Sequence, residues 1–227
     1  SPAASSYGLS LFEHVYAEGG VYEGVGIQLR TQYRMHRDIA YLPNRLFYDG
    51  SLRAGRTVDP LPDMPAIEAH SLGGSEESVG HSWRNPTEAR LVGHLVGRLL
   101  EQGLGGEDVG VITPYSGQVR EIESVLASVD GAASVVVDTI DAFQGSERAA
   151  IVISFVRSNP AGDVGFLGRS ADGRRRLNVA MTRAKRHCSL VGDWHTLRGH
   201  RREEPPHECV DTYREIYRQL ENTGRLR

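Results

Sequence analysis

Short apolar runs that alternate with helical segments constrain the fold of this chain more than any other feature. Residues 108–113, 135–138, 149–156 and 188–192 are rich in valine and isoleucine and do not alternate with polar residues. Strands of this kind are buried on both faces, as in a parallel sheet that is covered by helices on each side. We therefore predict an α/β, doubly wound, mainly parallel sheet of about five or six strands, with helices on both faces.

Helical signals lie between these runs. Asn85, Pro86 and Glu88 form a strong helix start, because an Asn can cap, a Pro suits the first turn and a Glu completes a capping box. Other helices are predicted after residue 36, from 114, over 174–186 and over 209–221. Residues 49–82 are rich in Gly, Pro, Ser and Asp, which predicts a long loop apart from one strand near 67–72.

The predicted organisation has three parts. Residues 1–8 are small and polar and indicate a linker or a cut end. Residues 9–200 are expected to form the α/β domain. Residues 201–227 carry an amphipathic helix that packs on this domain or follows it.

The composition narrows the class of protein. Of the 227 residues, 39% are hydrophobic and 24% charged, and no apolar run approaches the roughly 18 residues that span a bilayer, so we expect no membrane partner. Two cysteines form no disulfide framework, which favours a cytoplasmic protein, or a nuclear one if the source is eukaryotic. The net charge of −3 does not indicate nucleic-acid binding by itself, although arginines cluster at 174–176, 183–186 and 198–202.

The chain lacks the parts that hydrolyse a nucleotide unaided. A P-loop needs a lysine after its second glycine, and the only lysine, Lys185, follows Ala184 inside a predicted helix. No apolar strand ends in an Asp-Glu pair suited to magnesium, and the nine histidines show no metal-ligand spacing. We assign no metal site to this chain.

What remains are side chains that could complete a nucleotide site from outside. Arg34 follows a strand predicted over 25–29, and Arg183 is predicted to lie on a helix, where it shares one flank with Arg176. A guanidinium offered to a γ-phosphate stabilises the charge of phosphoryl transfer. For the helical arginines, a solvated basic flank is the alternative. Tyr33 could stack on an adenine, and its alternative is a core tyrosine at a strand end.

A polar segment over residues 144–147 is predicted to follow a strand, at the sheet edge where ligands bind in open α/β folds. Gly145 permits a tight turn between Gln144 and Ser146, and Glu147 could accept hydrogen bonds from ribose hydroxyls. Taken alone, a four-residue signal of this kind is weak.

Two further polar segments lie just past predicted strand ends. They are residues 113–118 (TPYSGQ), which include Thr113, Pro114 and Tyr115, and the pair Asp138 and Thr139. Hydroxyls and free amides at helix N-termini bind phosphate, so these segments could hold a single-strand backbone without reading its sequence. Helix capping by Ser116 and Thr139 is the alternative.

Six ordered motifs resemble those of a known family. They are QYRMH at 32–36, TPYSGQ at 113–118, VDTIDAFQGSE at 137–147, SFVRSN at 154–159, GFL at 165–167 and RRLNVAMTR at 175–183. Together they resemble the second RecA-like domain of superfamily 1 helicases of the up-frameshift type, the group that includes senataxin and the immunoglobulin-mu-binding-protein helicase. The resemblance covers roughly residues 9–195.

The resemblance implies a role for each matching position. The implied nucleotide ligands are Tyr33 for the adenine, Arg34 for the γ-phosphate, Glu147 for the ribose, Gln144 as a link to the nucleic acid and Arg183 as the arginine finger. The implied lining of the single-strand path is Thr113, Pro114 and Thr139. The family hydrolyses ATP with Mg²⁺ and moves 5′ to 3′ on single-stranded RNA or DNA.

The resemblance also implies a partner domain. The family's first RecA-like domain carries the P-loop and the magnesium carboxylates, and this sequence does not include it. We therefore expect a C-terminal motor domain that is inactive alone and works with the N-terminal RecA-like domain of a longer polypeptide. The alternative is a non-catalytic module, derived from a helicase domain, that binds nucleic acid or a partner protein.

Overall fold

The computed structural model describes residues 29–143, 145–168, 171–199 and 208–227. Almost all of its elements belong to the compact unit Gln32–Arg227. The described strands are β1 (Thr31–Gln32), β2 (Arg53–Ala54), β3 (Ile67–Ser71), β4 (Glu77–Val79), β5 (Ser82–Arg84), β6 (Val109–Thr113), β7 (Val136–Thr139), β8 (Arg148–Ser154) and β9 (Ala184–Gly192). The described α-helices are α1 (Arg37–Phe47), α2 (Pro86–Glu101), α3 (Ser116–Leu126), α4 (Ala171–Met181), α5 (Trp194–Leu197) and α6 (Glu208–Asn222).

A five-stranded sheet forms the centre of the described residues. Its order is β3-β9-β8-β6-β7, and every neighbouring pair runs parallel. Strand β8 lies in the middle, where Ala150 faces Val109 of β6 and Ile151 faces Cys188 of β9. The predicted α/β fold with a parallel sheet is confirmed.

Helices cover both faces of this sheet. Along β8, Ile151 and Ile153 point into one apolar core, while Ala150 and Val152 point into a second one. The first core also contains residues of α1, α4 and α6, namely Ile39, Leu42, Leu177, Ala180, Tyr213, Ile216 and Leu220. The second contains residues of α2 and α3, namely Ala89, Val92, Leu95, Leu99, Ile122 and Leu126. Burial on both faces explains why the strands lack polar alternation.

Helix α2 begins as its capping signal predicts. The Asn85 side chain accepts hydrogen bonds from the backbone amides of Thr87 at 3.1 Å and Glu88 at 3.2 Å, and Pro86 is the first helical residue. Both amides would otherwise lack an intrahelical partner. The helix start predicted from these neighbouring residues is therefore confirmed.

The predicted boundary between the helix over 174–186 and the strand over 188–192 is wrong. Helix α4 ends at Met181, and β9 already begins at Ala184. The backbone amide of Arg148 donates to the carbonyl of Arg183 at 3.1 Å, so this carbonyl bonds to the first residue of β8 rather than within the helix. Pairing across the sheet overrides the helical pattern here. Arg183 therefore lies in a turn, and the predicted flank shared with Arg176 does not exist.

The long loop predicted over 49–82 contains more structure than expected. Besides β3, it includes the antiparallel hairpin β4–β5, in which Ser78 pairs with Trp83. The hairpin packs on the start of α3, where Ser82 Oγ accepts from the amide of Gly117 at 2.9 Å. The cap of α3 therefore comes from a distant segment, and the alternative of capping by Ser116 is wrong.

None of the described helices combines the length and the apolar character that a membrane crossing requires.

Candidate nucleotide-binding site and nucleic-acid interface

Most of the candidate nucleotide residues come together at the amino ends of two adjacent strands. Glu147 directly precedes β8, and Arg183 directly precedes β9. The prediction that Glu147 lies at a carboxyl edge is therefore wrong, because residues 140–147 run from the carboxyl end of β7 to the amino end of β8. The same connection joins the two opposite edges of the sheet.

Glu147 is the centre of a cluster of charged side chains. Its carboxylate forms an ion pair with the Nε of Arg34 and a second one with Lys185 Nζ at 2.8 Å. The hydrogen bond from Lys185, and then that from Arg34, hold the pKa of Glu147 below its ordinary value despite partial burial. Arg34 also donates from Nη1 to the carbonyl oxygen of Thr182 at 2.9 Å. The cluster thus presents an ionised carboxylate whose position is fixed from two sides.

Arg183 is held loosely beside this cluster. Its Nη1 donates to the carbonyl of Ser146 at 3.4 Å, and its Nε is buried without a hydrogen-bond partner. Partial burial, and then the charge of Arg34, lower the pKa of Arg183, whereas Glu147 acts in the opposite direction. A buried guanidinium N–H without a partner costs free energy in the free domain and would gain from an incoming anion.

An open cleft of about 490 Å³ lies next to the cluster. The residues that line it are Gln32, Tyr33, Arg34, Met35, Tyr48, Leu52, Arg56, Glu147 and Thr182. Tyr33 is 60% exposed, so the alternative of a core tyrosine is wrong. An exposed aromatic ring, two cations and a carboxylate on one cleft suit a base, a phosphate chain and a ribose.

The turn before Glu147 requires its glycine. Gly145 has a φ of +87°, in the left-handed region that glycine adopts without steric cost. Gln144, the predicted link between nucleotide and nucleic acid, lies outside the described residues.

The candidate nucleic-acid residues lie at the opposite edge of the sheet, on two paired strand ends. Thr113 ends β6 and faces Thr139, which ends β7, while Asp138 faces Ile112. Asp138 and Thr139 are half-buried, whereas the Thr113 hydroxyl is buried and has no hydrogen-bond partner. Thr139 Oγ1 accepts from the amide of Ala142 at 3.4 Å, but residues 140–143 form a turn rather than a helix, so the alternative of helix capping by Thr139 is wrong.

Pro114 and Tyr115 continue the same edge. Both are half-buried in the described structure. The Tyr115 hydroxyl and the Arg157 guanidinium lie against Gly165, where an added Cβ would come within 2.2 Å and 2.7 Å of them. Burial lowers the pKa of Arg157, but hydrogen bonds with Glu76 and Tyr115 raise it, and the net result is a pKa above the ordinary value.

Two residues of the cluster were missed by sequence reasoning. Lys185 was placed in a helix, but it is the second residue of β9 and pairs with Glu147. Gln32 shapes the turn that carries Arg34, because its Oε1 accepts from the amides of Arg34 at 2.9 Å and Met35 at 2.7 Å. No alternation marks the start of this strand, because Ala184 is buried, Lys185 and Arg186 are partly exposed and the residues from His187 onward are all buried.

In the part of the chain that the structure describes, no three His, Cys, Asp or Glu side chains are grouped so that they could hold a metal ion.

The fold and the cluster define a class of protein. It is a parallel α/β domain that places arginines, a carboxylate and an exposed aromatic ring around one open cleft, in a sequence without a P-loop. Comparison with known proteins gives the family: residues 7–195 match the AAA domain family, and the chain belongs to it.

Curated relatives agree with this assignment. The chain is 38% identical over 200 residues to a regulator of nonsense transcripts 1 homolog of Neurospora crassa, covering 77% of this chain and 18% of the relative. It is 34% identical over 212 residues to the DNA polymerase alpha-associated DNA helicase A of Schizosaccharomyces pombe, covering 84% and 31%. It is 34% identical over 208 residues to the DNA-binding protein SMUBP-2 of Rattus norvegicus, covering 84% and 20%. The chain thus spans less than a third of the length of each.

Among solved structures, the C-terminal domain of a possible DNA helicase from Lactobacillus plantarum is similar, with a TM-score of 0.47 and 13% identity over 71% of this chain and 87% of that one.

Proposed function

We propose that this chain is the C-terminal motor domain of an ATP-dependent RNA or DNA helicase, and that it supplies the arginine finger and part of the single-strand path. The observation that carries the proposal is the convergence of Arg34, Glu147 and Arg183 beside a cleft that exposes Tyr33. The relatives, which include a DNA helicase, support the same function.

Each residue of the cleft has a distinct task. Tyr33 stacks on the adenine, since its ring is exposed at the rim. Glu147 accepts hydrogen bonds from the ribose hydroxyls, because its low pKa keeps it ionised at neutral pH. Lys185 continues to neutralise Glu147 when Arg34 exchanges its ion pair for the γ-phosphate.

Arg183 acts as the arginine finger in this proposal. Its guanidinium is half-buried, close to Arg34, and holds only one weak hydrogen bond. Little interaction has to be broken before it reaches a phosphate. Hydrolysis of ATP supplies the free energy of the cycle, and Mg²⁺ is held mainly by carboxylates of the N-terminal RecA-like domain of the same polypeptide, which we propose as the partner.

The single strand follows the opposite edge of the sheet. Its accessible contacts are the half-buried residues Pro114, Tyr115, Asp138 and Thr139. Thr113, at the end of the same strand pair, is buried beneath them. Segment 140–147 leads from this edge to Glu147, so a shift at one site moves the backbone of the other. Because backbone contacts of this kind do not read sequence, either RNA or DNA can occupy the path. We propose that the protein acts in the cytoplasm, or in the nucleus of a eukaryotic source.

The test is ATP turnover by the natural polypeptide, with and without single-stranded RNA and DNA, beside an Arg34→Ala variant. We expect turnover that a strand stimulates and that the variant loses. We expect no turnover by the 227-residue chain alone. Strand binding without turnover by the natural polypeptide would favour the non-catalytic binding module instead.

A further inference from the structure

Val156 has an unusual backbone conformation for its residue type. Its φ is +75°, in the left-handed region, whereas the other described non-glycine residues with positive φ are Asp49 and Asp63. Aspartate tolerates this region, but a β-branched side chain is strained there. Such strain persists only where the surrounding structure enforces it, and it is concentrated at functional sites.

Two side chains at the start of helix α2, the N-cap Asn85 and the first-turn Glu88, enforce this conformation. Glu88 Oε2 accepts a hydrogen bond from the amide of Val156 at 2.8 Å, and Asn85 Nδ2 donates to the carbonyl of Val156 at 3.1 Å. The backbone amide and the carbonyl of Val156 are therefore both held, by residues 68 and 71 positions earlier in the chain. Both Asn85 and Glu88 are fully buried.

The hydrogen bonds from Asn85 and Glu88 to Val156 belong to a buried polar network that reaches the candidate strand path. Ser154 Oγ donates to Glu88 at 2.7 Å and accepts from Gln118 at 3.0 Å. Gln118 also accepts from the backbone amide of Asn85 at 2.7 Å and belongs to the TPYSGQ motif. Complete burial raises the pKa of Glu88 to about 8, although Ser154 and Val156 donate to its carboxyl.

The turn at Val156 determines where the next residue points. Arg157 is buried, pairs with Glu76 at 2.8 Å and lies over the ring of Trp83 at 4.7 Å. Its hydrogen bond with Tyr115 links the turn to the 113–115 segment. If Val156 returned to an ordinary φ, the Arg157 side chain would leave this position.

We propose that Asn85 and Glu88 are positioning residues for strand binding, which act by holding Val156 in its left-handed conformation so that Arg157 fixes Tyr115. The inference rests on the proposed function, because it assigns the 113–115 segment to the strand path. Neither Asn85 nor Glu88 touches the strand.

The test is a double-mutant cycle in the natural polypeptide with Glu88→Ala and Val156→Gly. The readouts are the Kd for a fluorescein-labelled single-stranded oligonucleotide, the KM for ATP, and thermal unfolding. Glu88→Ala raises the Kd about tenfold, a ratio equivalent to about 1.4 kcal/mol. The KM for ATP changes less than about twofold, because the nucleotide cleft lies at the other edge of the sheet.

Glycine adopts positive φ without steric cost, so Val156→Gly no longer needs the hydrogen bonds from Asn85 and Glu88 to keep the turn. We expect the Glu88→Ala/Val156→Gly double variant to bind the oligonucleotide with a Kd within about threefold of wild type. The control is Glu88→Ala combined with Asp63→Gly, which relieves a different left-handed residue and leaves the binding defect in place. Glu88→Gln keeps an acceptor for the Val156 amide and binds normally. An unchanged Kd in folded Glu88→Ala, or no rescue by Val156→Gly, would overturn the inference.

If Glu88→Ala does not fold, Asn85→Ser carries the same test. The serine keeps a capping oxygen for α2 but removes the donor to the Val156 carbonyl. Failure of the proposed function is recognised separately, because the wild-type polypeptide would then show neither strand binding nor turnover. The coupling of residues 88 and 156 would still be measurable as non-additivity in thermal unfolding.

Discussion

Arg183→Ala is expected to have a small effect on the stability of the free domain and a large effect on ATP turnover. In the structure, this guanidinium makes one hydrogen bond, to Ser146 at 3.4 Å, and has one buried N–H without a partner. Removing the hydrogen bond costs less than about 1 kcal/mol, and removing the unpartnered donor and the repulsion with Arg34 offsets part of this. We expect the free energy of unfolding to change by no more than about 1 kcal/mol.

The effect on turnover is expected to be far larger. An arginine finger contributes on the order of 10³ to 10⁵ in kcat, because it neutralises charge that develops only in the transition state. At about 1.4 kcal/mol per factor of ten, this is roughly 4–7 kcal/mol of barrier. Arg183→Lys keeps the charge but not the planar fork, and we expect it to recover only a small part of the rate.

The assay measures strand-stimulated ATP turnover by the natural polypeptide together with its thermal unfolding. Arg176→Ala is the matched control, because Arg176 pairs with Asp141 at 3.0 Å on the surface of α4 and belongs to the same motif. We expect this control to keep its turnover. Arg183 is not an arginine finger if Arg183→Ala retains more than about a tenth of the wild-type kcat, or if the variant also loses more than about 2 kcal/mol of stability.

Three further outcomes are expected. Tyr33→Ala raises the KM for ATP about tenfold in steady-state kinetics, because we propose that the ring stacks on the adenine. It changes stability little, because the ring is exposed and does not pack in the core. Burial raises the pKa of Glu88 from about 4.5 to about 8, so between these pH values the folded protein binds a proton that the unfolded chain does not. The free energy of unfolding therefore falls as pH rises through this window, by at most about 1.4 kcal/mol per pH unit. Denaturation at pH 5 and pH 8.5 measures this decline, which Glu88→Gln reduces. Gly117→Ala places a Cβ 2.8 Å from the backbone carbonyl oxygen of Trp83, and we expect it to lower the free energy of unfolding by about 1–3 kcal/mol. The control Gly73→Ala meets nothing within 4 Å, so its stability should change little. Equal melting temperatures for the two variants would contradict this packing argument.

Several features of the fold could be predicted because they depend on neighbouring residues. The apolar runs give the parallel sheet, since a strand buried on both faces has no polar positions. Asn85, Pro86 and Glu88 give the start of α2, because capping is a contact between residues two or three positions apart. The arginines and the tyrosine of the candidate site were found from their motifs, although Glu147 was assigned to the carboxyl edge of the sheet rather than to the amino end of β8.

Pairing between distant segments decided the rest. The end of α4 depends on the hydrogen bond between Arg148 and Arg183, which are 35 positions apart. The cap of α3 comes from Ser82, and the partner of Glu147 from a lysine on another strand. Such contacts leave no local periodicity, so a helix propensity that continued past residue 181 could not reveal that the sheet competes for it.

By itself, the sequence determined a helix-covered parallel sheet without a P-loop, and it named most of the candidate ligands. Only the tertiary structure decided that Arg34, Glu147, Arg183 and Lys185 meet at the amino edge, and that the conformation of Val156 is held from helix α2. The physical reason is that burial patterns repeat along a chain, whereas ion pairs and strained turns depend on which segments the packed core brings together.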